Sequence, residues 1–134
     1  GGDPDSIVQT ISAGRVAGMT PWGEVLGEQG VDEVVAYVLQ LSGQPADAAQ
    51  AAAGATHFQT YCLACHGADG KGMTAVGAPN LTDGVWLYGG DAATIRETVV
   101  KGRMGQMPAF ADKLGEQRVR LLAAYVLRMS GSEQ

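Results

Sequence analysis

The residues of this chain best suited to chemistry are two cysteines and a histidine in the run Cys62-Leu63-Ala64-Cys65-His66. Two thiols three positions apart can form thioethers with the two vinyl groups of a haem, and the adjacent imidazole can ligate the iron. A structural zinc site needs four nitrogen or sulfur ligands, and the whole chain holds two cysteines and two histidines. A thioredoxin-like dithiol would lie in a βαβ pattern, which the sequence lacks. The pentapeptide therefore predicts one covalently bound haem c, with His66 as an iron ligand.

A methionine thioether is the expected sixth ligand if the haem transfers electrons. The chain has five candidates, which are Met19, Met73, Met104, Met107 and Met129. Met107 is followed by Pro108, which stiffens the loop that presents the thioether, and an internal repeat pairs Met107 with Met19. The sequence therefore predicts Met107 as the ligand, and ordinary core filling is the alternative for this side chain.

The internal repeat has an offset of 88 residues, because Asp3 falls on Asp91 and no gap is needed as far as Ser42-Gly43 on Ser130-Gly131. Residues 3–43 thus copy residues 91–131, but only the second copy is preceded by a haem motif. We expect residues 1–43 to be the C-terminal half of a first domain without its haem motif. Residues 44–134 are expected to be a complete haem-binding domain.

Residues 1–43 and residues 44–134 also differ in net charge. Residues 1–43 hold six acids and one base, whereas residues 44–134 hold eight of each, so the net charge of −5 lies in the first piece. Neither piece has the basic excess of a nucleic-acid binder. No apolar run reaches the 18 residues of a membrane span, so we expect this chain to be soluble.

The elements that must position the motif are predicted to be helices. Asp3 and Asp91 are predicted N-caps, and Gly14 and Gly102 are predicted helix ends. Further helices are expected over about 46–61, 30–42 and 116–130, residues 67–90 are expected to be loop with short turns, and no strand is predicted.

Residues 46–131 resemble a class I cytochrome c, an all-α fold wrapped around the haem. Gly54, Phe58 and Cys62 form one stripe of the first helix, and Leu122 and Tyr125 match that family's partners for the stripe. The resemblance implies that Gly54 lets the two helices cross closely against Tyr125. It also implies that the Pro79 carbonyl accepts the Nδ1 proton of His66 and that Leu81 packs on the haem face.

A narrower resemblance covers nearly the whole chain. Three blocks carry it, together with the repeat: Cys62 to Gly72, Gly77-Ala78-Pro79-Asn80-Leu81-Thr82-Asp83 and Trp86-Leu87-Tyr88-Gly89-Gly90. They resemble the dihaem c-type subunit of the cbb-type haem–copper cytochrome c oxidases. The resemblance implies a subunit on the periplasmic side of the bacterial inner membrane, anchored by an N-terminal helix. It would relay electrons from periplasmic cytochrome donors to the oxidase core and would not be catalytic alone. This chain lacks the anchor and the first haem motif, so a truncated or rearranged form is expected.

Two other functions remain open from the sequence. One is a soluble periplasmic dihaem cytochrome c shuttle. The other is an enzyme or sensor with an open haem site, against which a ligating Met107 argues. Trp86, Tyr88 and Arg103 are further candidates for contact with the haem edge or propionates, and His57 is expected on the helix surface.

The orphan segment 3–43 is expected to fold as two helices around the loop Gly14–Trp22. Its apolar face has three candidate partners: the outside of its own haem domain, the same segment of another chain, or residues 46–90, from which it would displace residues 91–131. We expect the segment to mediate a homodimer and Met107 rather than Met19 to hold the iron.

Overall fold

The computed structural model describes residues 2–131, so Gly1 and residues 132–134 of the two predicted domains lie outside the described part. The prediction of an all-α fold is confirmed, with the addition of one two-stranded sheet. The elements in chain order are α1 (Pro4–Ala13), β1 (Arg15–Met19), α2 (Gly23–Leu41), α3 (Ala48–His57), a π-helical turn (Phe58–Cys62), α4 (Leu63–His66), a 3-10 turn (Thr74–Val76), α5 (Ala92–Lys101), β2 (Arg103–Met107) and α6 (Ala111–Gly131).

The N-caps predicted at Asp3 and Asp91 are confirmed, and Asp47, where no cap was predicted, begins α3 in the same way. The carboxylates of Asp3, Asp47 and Asp91 each accept a hydrogen bond from the backbone N–H three residues later, at 2.8–3.0 Å. These bonds satisfy amides that the first turn of a helix leaves without partners. Gly14 and Gly102 end α1 and α5 with φ of 71° and 69°, a conformation that glycine adopts without steric cost. The two copies therefore share their local structure.

The expectation of no strand is wrong for the loops that follow α1 and α5. Strands β1 and β2 pair with each other, and they occupy equivalent places in the repeat. Polar–apolar alternation is missing from their sequences because outward positions carry apolar side chains, with Val16 66% and Met104 77% exposed. Each strand is also only five residues long.

Helix α2 begins at Gly23 rather than at about residue 30, because it consists of two helical pieces and only the second was predicted. Gly27 has φ 67° and ψ 174°, and Gly115 of α6 has φ 73° and ψ 162°. Neither pair of angles is helical, so each element is two helical pieces joined at a glycine. The predicted helices from residues 30 and 116 are the second pieces.

The chain folds into two compact units whose division differs from the predicted boundary at residues 43 and 44. Unit 1 contains the residues up to Val16 and those from Gly105 onward, and unit 2 contains Ala17–Met104. In unit 1, α1 and α6 share a core of Ile11, Val119 and Ala123. The core of unit 2 is larger, and its buried members are Val31, Val34, Val35, Val38, Phe58, Cys62, Leu81, Ile95 and Val99.

Residues 3–43 do form two helices around a loop, as predicted, and the face of α2 that needed a partner is covered. Val31 and Val34 of α2 are each 1% exposed in the core that also holds Phe58 and Cys62. Of the three predicted partners, residues 46–90 are the one that α2 contacts. The predicted displacement holds for α2 alone, because α5 stays in unit 2 and α1 packs on α6 in unit 1. Because α2 is buried within its own chain, the physical reason for expecting a homodimer through residues 3–43 is gone.

Candidate haem site

The cysteine–histidine motif lies where one helix widens into a π-helical turn before the next helix begins. Helix α3 passes into the π-helical turn that ends at Cys62, and α4 then carries Leu63 to His66. Leu63 donates its N–H to the Phe58 carbonyl, five residues back, as a π-helical turn requires. Such single turns are frequent at functional sites because they rotate the following side chains. Gly67, with φ 76°, ends the helix directly after the histidine.

The two thiols differ in their surroundings. Cys62 is 9% exposed within the core of unit 2, whereas Cys65 is exposed, and both are free thiols. Burial, with a smaller effect of the neighbouring Cys65, raises the pKa of the Cys62 thiol to about 11. The motif thus presents one thiol from the interior and one from the surface.

His66 is buried and held by a backbone carbonyl. His66 is 8% exposed, and its Nδ1 lies 3.2 Å from the Pro79 carbonyl oxygen, to which it donates in the Nδ1–H tautomer. Burial lowers the pKa of His66, and the bond to Pro79 partly opposes that effect. A neutral ring whose Nδ1 proton is engaged offers its Nε2 lone pair to a metal, so the histidine fits a proximal haem ligand.

The loop that presents Pro79 is itself fastened to the motif. Gly72 donates its N–H to the His66 carbonyl at 2.8 Å, and Leu81 donates to the Gly70 carbonyl at 2.7 Å. Gly72 has φ 80°, and a Cβ there would lie 2.5 Å from the Pro79 carbonyl oxygen, so the close approach requires glycine. Leu81 is 8% exposed and belongs to the core that includes Cys62.

The helix that crosses α3 at Gly54 is α2. A Cβ on Gly54 would meet the backbone carbonyl of Glu33 and lie 3.0 Å from the Tyr37 Cβ. The Tyr37 ring packs on Phe58 with centroids 5.2 Å apart. The implied crossing against Tyr125 is therefore wrong, because Tyr37, its equivalent in the repeat, occupies that place.

The partner face predicted on α6 is exposed. Leu122 is 40% and Tyr125 is 60% exposed. Both were expected to cover the stripe of Gly54, Phe58 and Cys62, which α2 covers instead.

The structure brings five of the six predicted site residues into one unit. Unit 2 contains Cys62, Cys65, His66, Pro79 and Leu81. Met107 belongs to unit 1 and is 36% exposed, whereas Met19 belongs to unit 2 and packs against the core containing Cys62. The remaining methionines, Met73, Met104 and Met129, are 41%, 77% and 55% exposed.

The aromatic and basic candidates make contacts within unit 2. The Arg103 guanidinium carbon lies 4.4 Å from the centroid of the Tyr88 ring, and its Nε donates to the Thr98 hydroxyl at 2.9 Å. Trp86 packs against the core and closely against Gly90. Each of these side chains therefore packs against other parts of unit 2.

Sequence reasoning missed two contributions of the first copy to this unit. His57, expected to be a plain surface residue, pairs with Glu33 through Nε2 and Oε2 at 3.0 Å. Trp22 packs on Tyr61 of the haem-motif helix with ring centroids 5.3 Å apart. The repeat held a signal for the packing of Trp22, because the equivalent position of the other copy is also aromatic, as Phe110.

Within residues 2–131, no cluster of three or more histidine, cysteine, aspartate or glutamate side chains could hold a metal ion. The helices of this described part include none that combines the length and apolar character of a membrane span.

Known proteins similar to this chain are oxidase subunits. A sequence model of the family described as cytochrome c oxidase, cbb3-type, subunit III matches residues 49–126. The cbb3-type cytochrome c oxidase subunit CcoP of Rhodobacter capsulatus is 45% identical over 138 residues, covering 98% of this chain and 45% of the relative. The CcoP subunit of Cereibacter sphaeroides is 46% identical, covering 99% and 50%. The FixP subunit of Azorhizobium caulinodans is 40% identical, covering 99% and 48%.

This chain spans about half the length of these relatives. The family match extends over more than half of the chain and includes Cys62, Cys65 and His66. The chain belongs to the cbb3-type cytochrome c oxidase subunit III family.

Proposed function

We propose that this chain carries one covalent haem c and transfers single electrons as part of a cbb3-type cytochrome c oxidase. The observation that carries the proposal is the buried His66, whose Nδ1 lies 3.2 Å from the Pro79 carbonyl at the end of a helix bearing both thiols. That arrangement fixes the tautomer and direction of an iron ligand before any metal binds. Family membership supports the same reading.

Each residue of the motif has a defined part. Cys62 and Cys65 would form the two thioether bonds, and His66 would ligate the iron through Nε2. The Pro79 carbonyl would hold the histidine ring and increase its basicity, and Leu81 would exclude water from one face. A bound haem supplies one-electron redox chemistry, while the protein sets its potential and its exposure.

The sixth ligand in this proposal is a methionine thioether, which fills the coordination sphere and leaves no open position for a substrate. Sequence reasoning favours Met107, whereas the fold places Met19 in the unit that holds His66. Either ligand supports electron transfer without catalysis by this chain alone.

Electrons would enter and leave where the motif meets solvent. Cys65 is exposed, and the neighbouring Leu63 is 39% exposed, so one edge of the motif is accessible to a partner. The relatives are named as oxidase subunits, and we propose oxidase core subunits as acceptor and periplasmic cytochromes as donors. The setting would be the periplasmic side of the bacterial inner membrane.

Stopped-flow mixing of the reduced, haem-loaded chain with the oxidised core subunits of a cbb3-type oxidase tests this function. We expect second-order oxidation of the chain with a rate that changes with ionic strength, because charged surfaces steer such encounters. A matched control uses the unrelated acceptor ferricyanide, which should oxidise the chain without a saturating encounter step. Oxidation by ferricyanide without transfer to the core subunits would contradict the proposed partnership.

A further inference from the structure

We propose that residues 84–88 of unit 2 form a docking loop that binds an apolar recess with a basic rim on the core subunits of the oxidase. The inference rests on the proposed function and names the part of this chain that contacts its acceptor. The loop presents three large apolar side chains to solvent, since Val85 is 80%, Leu87 is 86% and Tyr88 is 49% exposed. Single exposed apolar side chains are ordinary on protein surfaces, whereas a group of them on one loop indicates an interaction site.

The start of the docking loop is fixed by Asp83. Its carboxylate accepts a hydrogen bond from the Val85 backbone N–H at 2.9 Å and another from the side-chain amide of Asn80 at 2.8 Å. The side-chain carbonyl oxygen of Asn80 in turn accepts the backbone N–H and the hydroxyl of Thr82, at 2.9 and 2.8 Å. Val85 therefore follows a turn that is held by four hydrogen bonds.

The middle of the docking loop is anchored by Trp86, which lies between its two most exposed side chains. Trp86 packs against the core of unit 2, and a Cβ on Gly90 would collide with its indole ring. The Gly90 carbonyl also accepts a hydrogen bond from the side-chain amide of Gln44 at 2.9 Å. The loop thus buries one large side chain and displays the residues on either side of it.

The end of the docking loop is held through Tyr88. The Arg103 guanidinium carbon lies 4.4 Å from the centroid of the Tyr88 ring, which is a favourable cation–π arrangement. The Nε of Arg103 donates to the Thr98 hydroxyl of α5 at 2.9 Å, so the arginine itself is fixed. A loop whose shape is set before binding loses less conformational entropy when a partner covers it.

The exposed fractions argue against the haem as the group that covers these side chains. A side chain on the wall of a cleft is shielded by the opposite wall, even when the cleft is empty. Val85 and Leu87 are nearly as accessible as they would be in an extended chain, whereas Leu81, a few residues earlier, is 8% exposed. The two side chains therefore point away from any cleft of unit 2.

Charge indicates which kind of surface accepts the docking loop. Unit 2 contains nine acidic and four basic side chains and so carries the whole net charge of −5, whereas unit 1 holds five of each. Two of these acids border the loop: Asp83 bonds to Val85, and Asp91 lies 3.3 Å from a Cβ built on Gly89. A second copy of this unit or an anionic lipid surface would bring like charges together, whereas a basic protein surface is attracted.

The docking loop and its surroundings resemble half of a protein interface. Such interfaces combine an apolar, well-packed centre with a polar rim. The three apolar side chains would supply the centre, and the acidic groups around them would supply the rim. The similar proteins are named as oxidase subunits, and the core subunits are the protein acceptor that the proposed function assigns to this chain.

Binding of the haem-loaded chain to core subunits prepared without their own subunit of this family tests the inference. The informative variant combines Val85→Ser with Leu87→Ser. Its matched control combines Val25→Ser with Leu121→Ser, which changes a valine that is 58% exposed and a leucine that is 72% exposed elsewhere in the chain. We expect the loop variant to bind at least about tenfold more weakly, as the loss of central interface contacts does. The control should bind like the unchanged chain, and equal affinities of the two variants would overturn the inference.

Three further measurements detect other occupants of the docking loop. Vesicles of anionic phosphatidylglycerol should not sediment the chain, and sedimentation that is lost in the loop variant would overturn the inference in favour of a membrane surface. Analytical ultracentrifugation should show no dimer that the loop variant abolishes, because such a dimer would make a second copy the occupant. The loop variant should also keep the visible spectrum of the unchanged chain. A changed spectrum with unaltered affinity for the core subunits would mean that the haem covers the loop, and it would overturn the inference as well.

Electron transfer separates the failure of this inference from the failure of the proposed function. An unchanged chain that neither binds nor reduces the core subunits would refute the proposed function and the docking loop with it. A loop variant that binds and reduces the core subunits as well as the unchanged chain does would refute the docking loop alone.

Discussion

Replacement of Gly54 by alanine should destabilise unit 2, although the same change stabilises most helices. Alanine is favoured over glycine inside a helix by about 1 kcal/mol. At this position, however, the added Cβ would lie 2.5 Å from the Glu33 carbonyl carbon and 3.0 Å from the Tyr37 Cβ, where ordinary contacts begin near 3.4 Å. The nearest obstacle is the Glu33 carbonyl oxygen, which belongs to the backbone, so α2 must move away from α3 to admit the added methyl group.

Such overpacking costs about 1–3 kcal/mol, and we take the upper end because a helix backbone cannot rotate aside. After the propensity gain is subtracted, we expect the free energy of unfolding to fall by about 2 kcal/mol. With a urea dependence of about 1–3 kcal/mol per molar, the unfolding midpoint should decrease by roughly 1 M.

Tryptophan fluorescence during urea unfolding is a suitable assay, since Trp22 and Trp86 are the two tryptophans of the chain and both belong to unit 2. A control variant, Ala52→Gly, changes an exposed position of the same helix and should cost about 1 kcal/mol through propensity. Gly54→Ala and Ala52→Gly, although they are opposite substitutions, would then both destabilise the protein. A more stable Gly54→Ala chain would refute the close crossing of α2 and α3.

Two further predictions follow from the site and its surroundings. In the haem-free chain at pH 8, iodoacetamide should modify the exposed Cys65 well before Cys62. The reason is that a thiol with a pKa of about 11 is roughly 0.1% thiolate at that pH. Peptide mass spectrometry measures the order of modification, and equal rates would contradict the buried position of Cys62. Arg96→Glu should lower the free energy of unfolding of unit 2 by about 1 kcal/mol or less, since exposed ion pairs contribute little, and the loss should shrink in high salt. Arg120→Glu is the matched control and should leave the urea transition of unit 2, followed by tryptophan fluorescence, unchanged. An equal effect of the two substitutions would contradict the pairing of α2 with α5.

The features of this molecule that the sequence alone could predict are local ones. Asp3 and Asp91 predict helix starts because an N-cap carboxylate accepts a hydrogen bond from a backbone N–H only three residues later. The haem motif is equally local, since its two thiols and imidazole occupy five consecutive positions. The family resemblance added Pro79, which the structure places beside His66 across a separation of 13 residues.

The parts that could not be predicted depend on contacts across the chain. The order of the sequence favours residues 91–131 as the closing half, because they follow the motif directly. The choice of α2 shows only in contacts between residues that are distant in the sequence, such as the packing of Tyr37 on Phe58 and the pairing of Arg96 with Asp32, 64 residues apart. Because the apolar patterns of α2 and α6 are nearly identical, the pattern alone does not show which of the two helices packs on the haem-motif half. The strands were hidden for a different reason, since their outward positions are apolar.

The central claim is one covalent haem c attached to this chain, and the mass of the intact protein tests it most directly. The chain should be expressed with a cytochrome c maturation system, and its mass and pyridine haemochrome spectrum should be measured on the same sample. We expect the polypeptide mass plus one haem, with Cys62 and Cys65 both blocked to alkylation and a spectrum typical of two thioether bonds. A mass equal to that of the bare polypeptide, with both thiols free to react, would contradict the account.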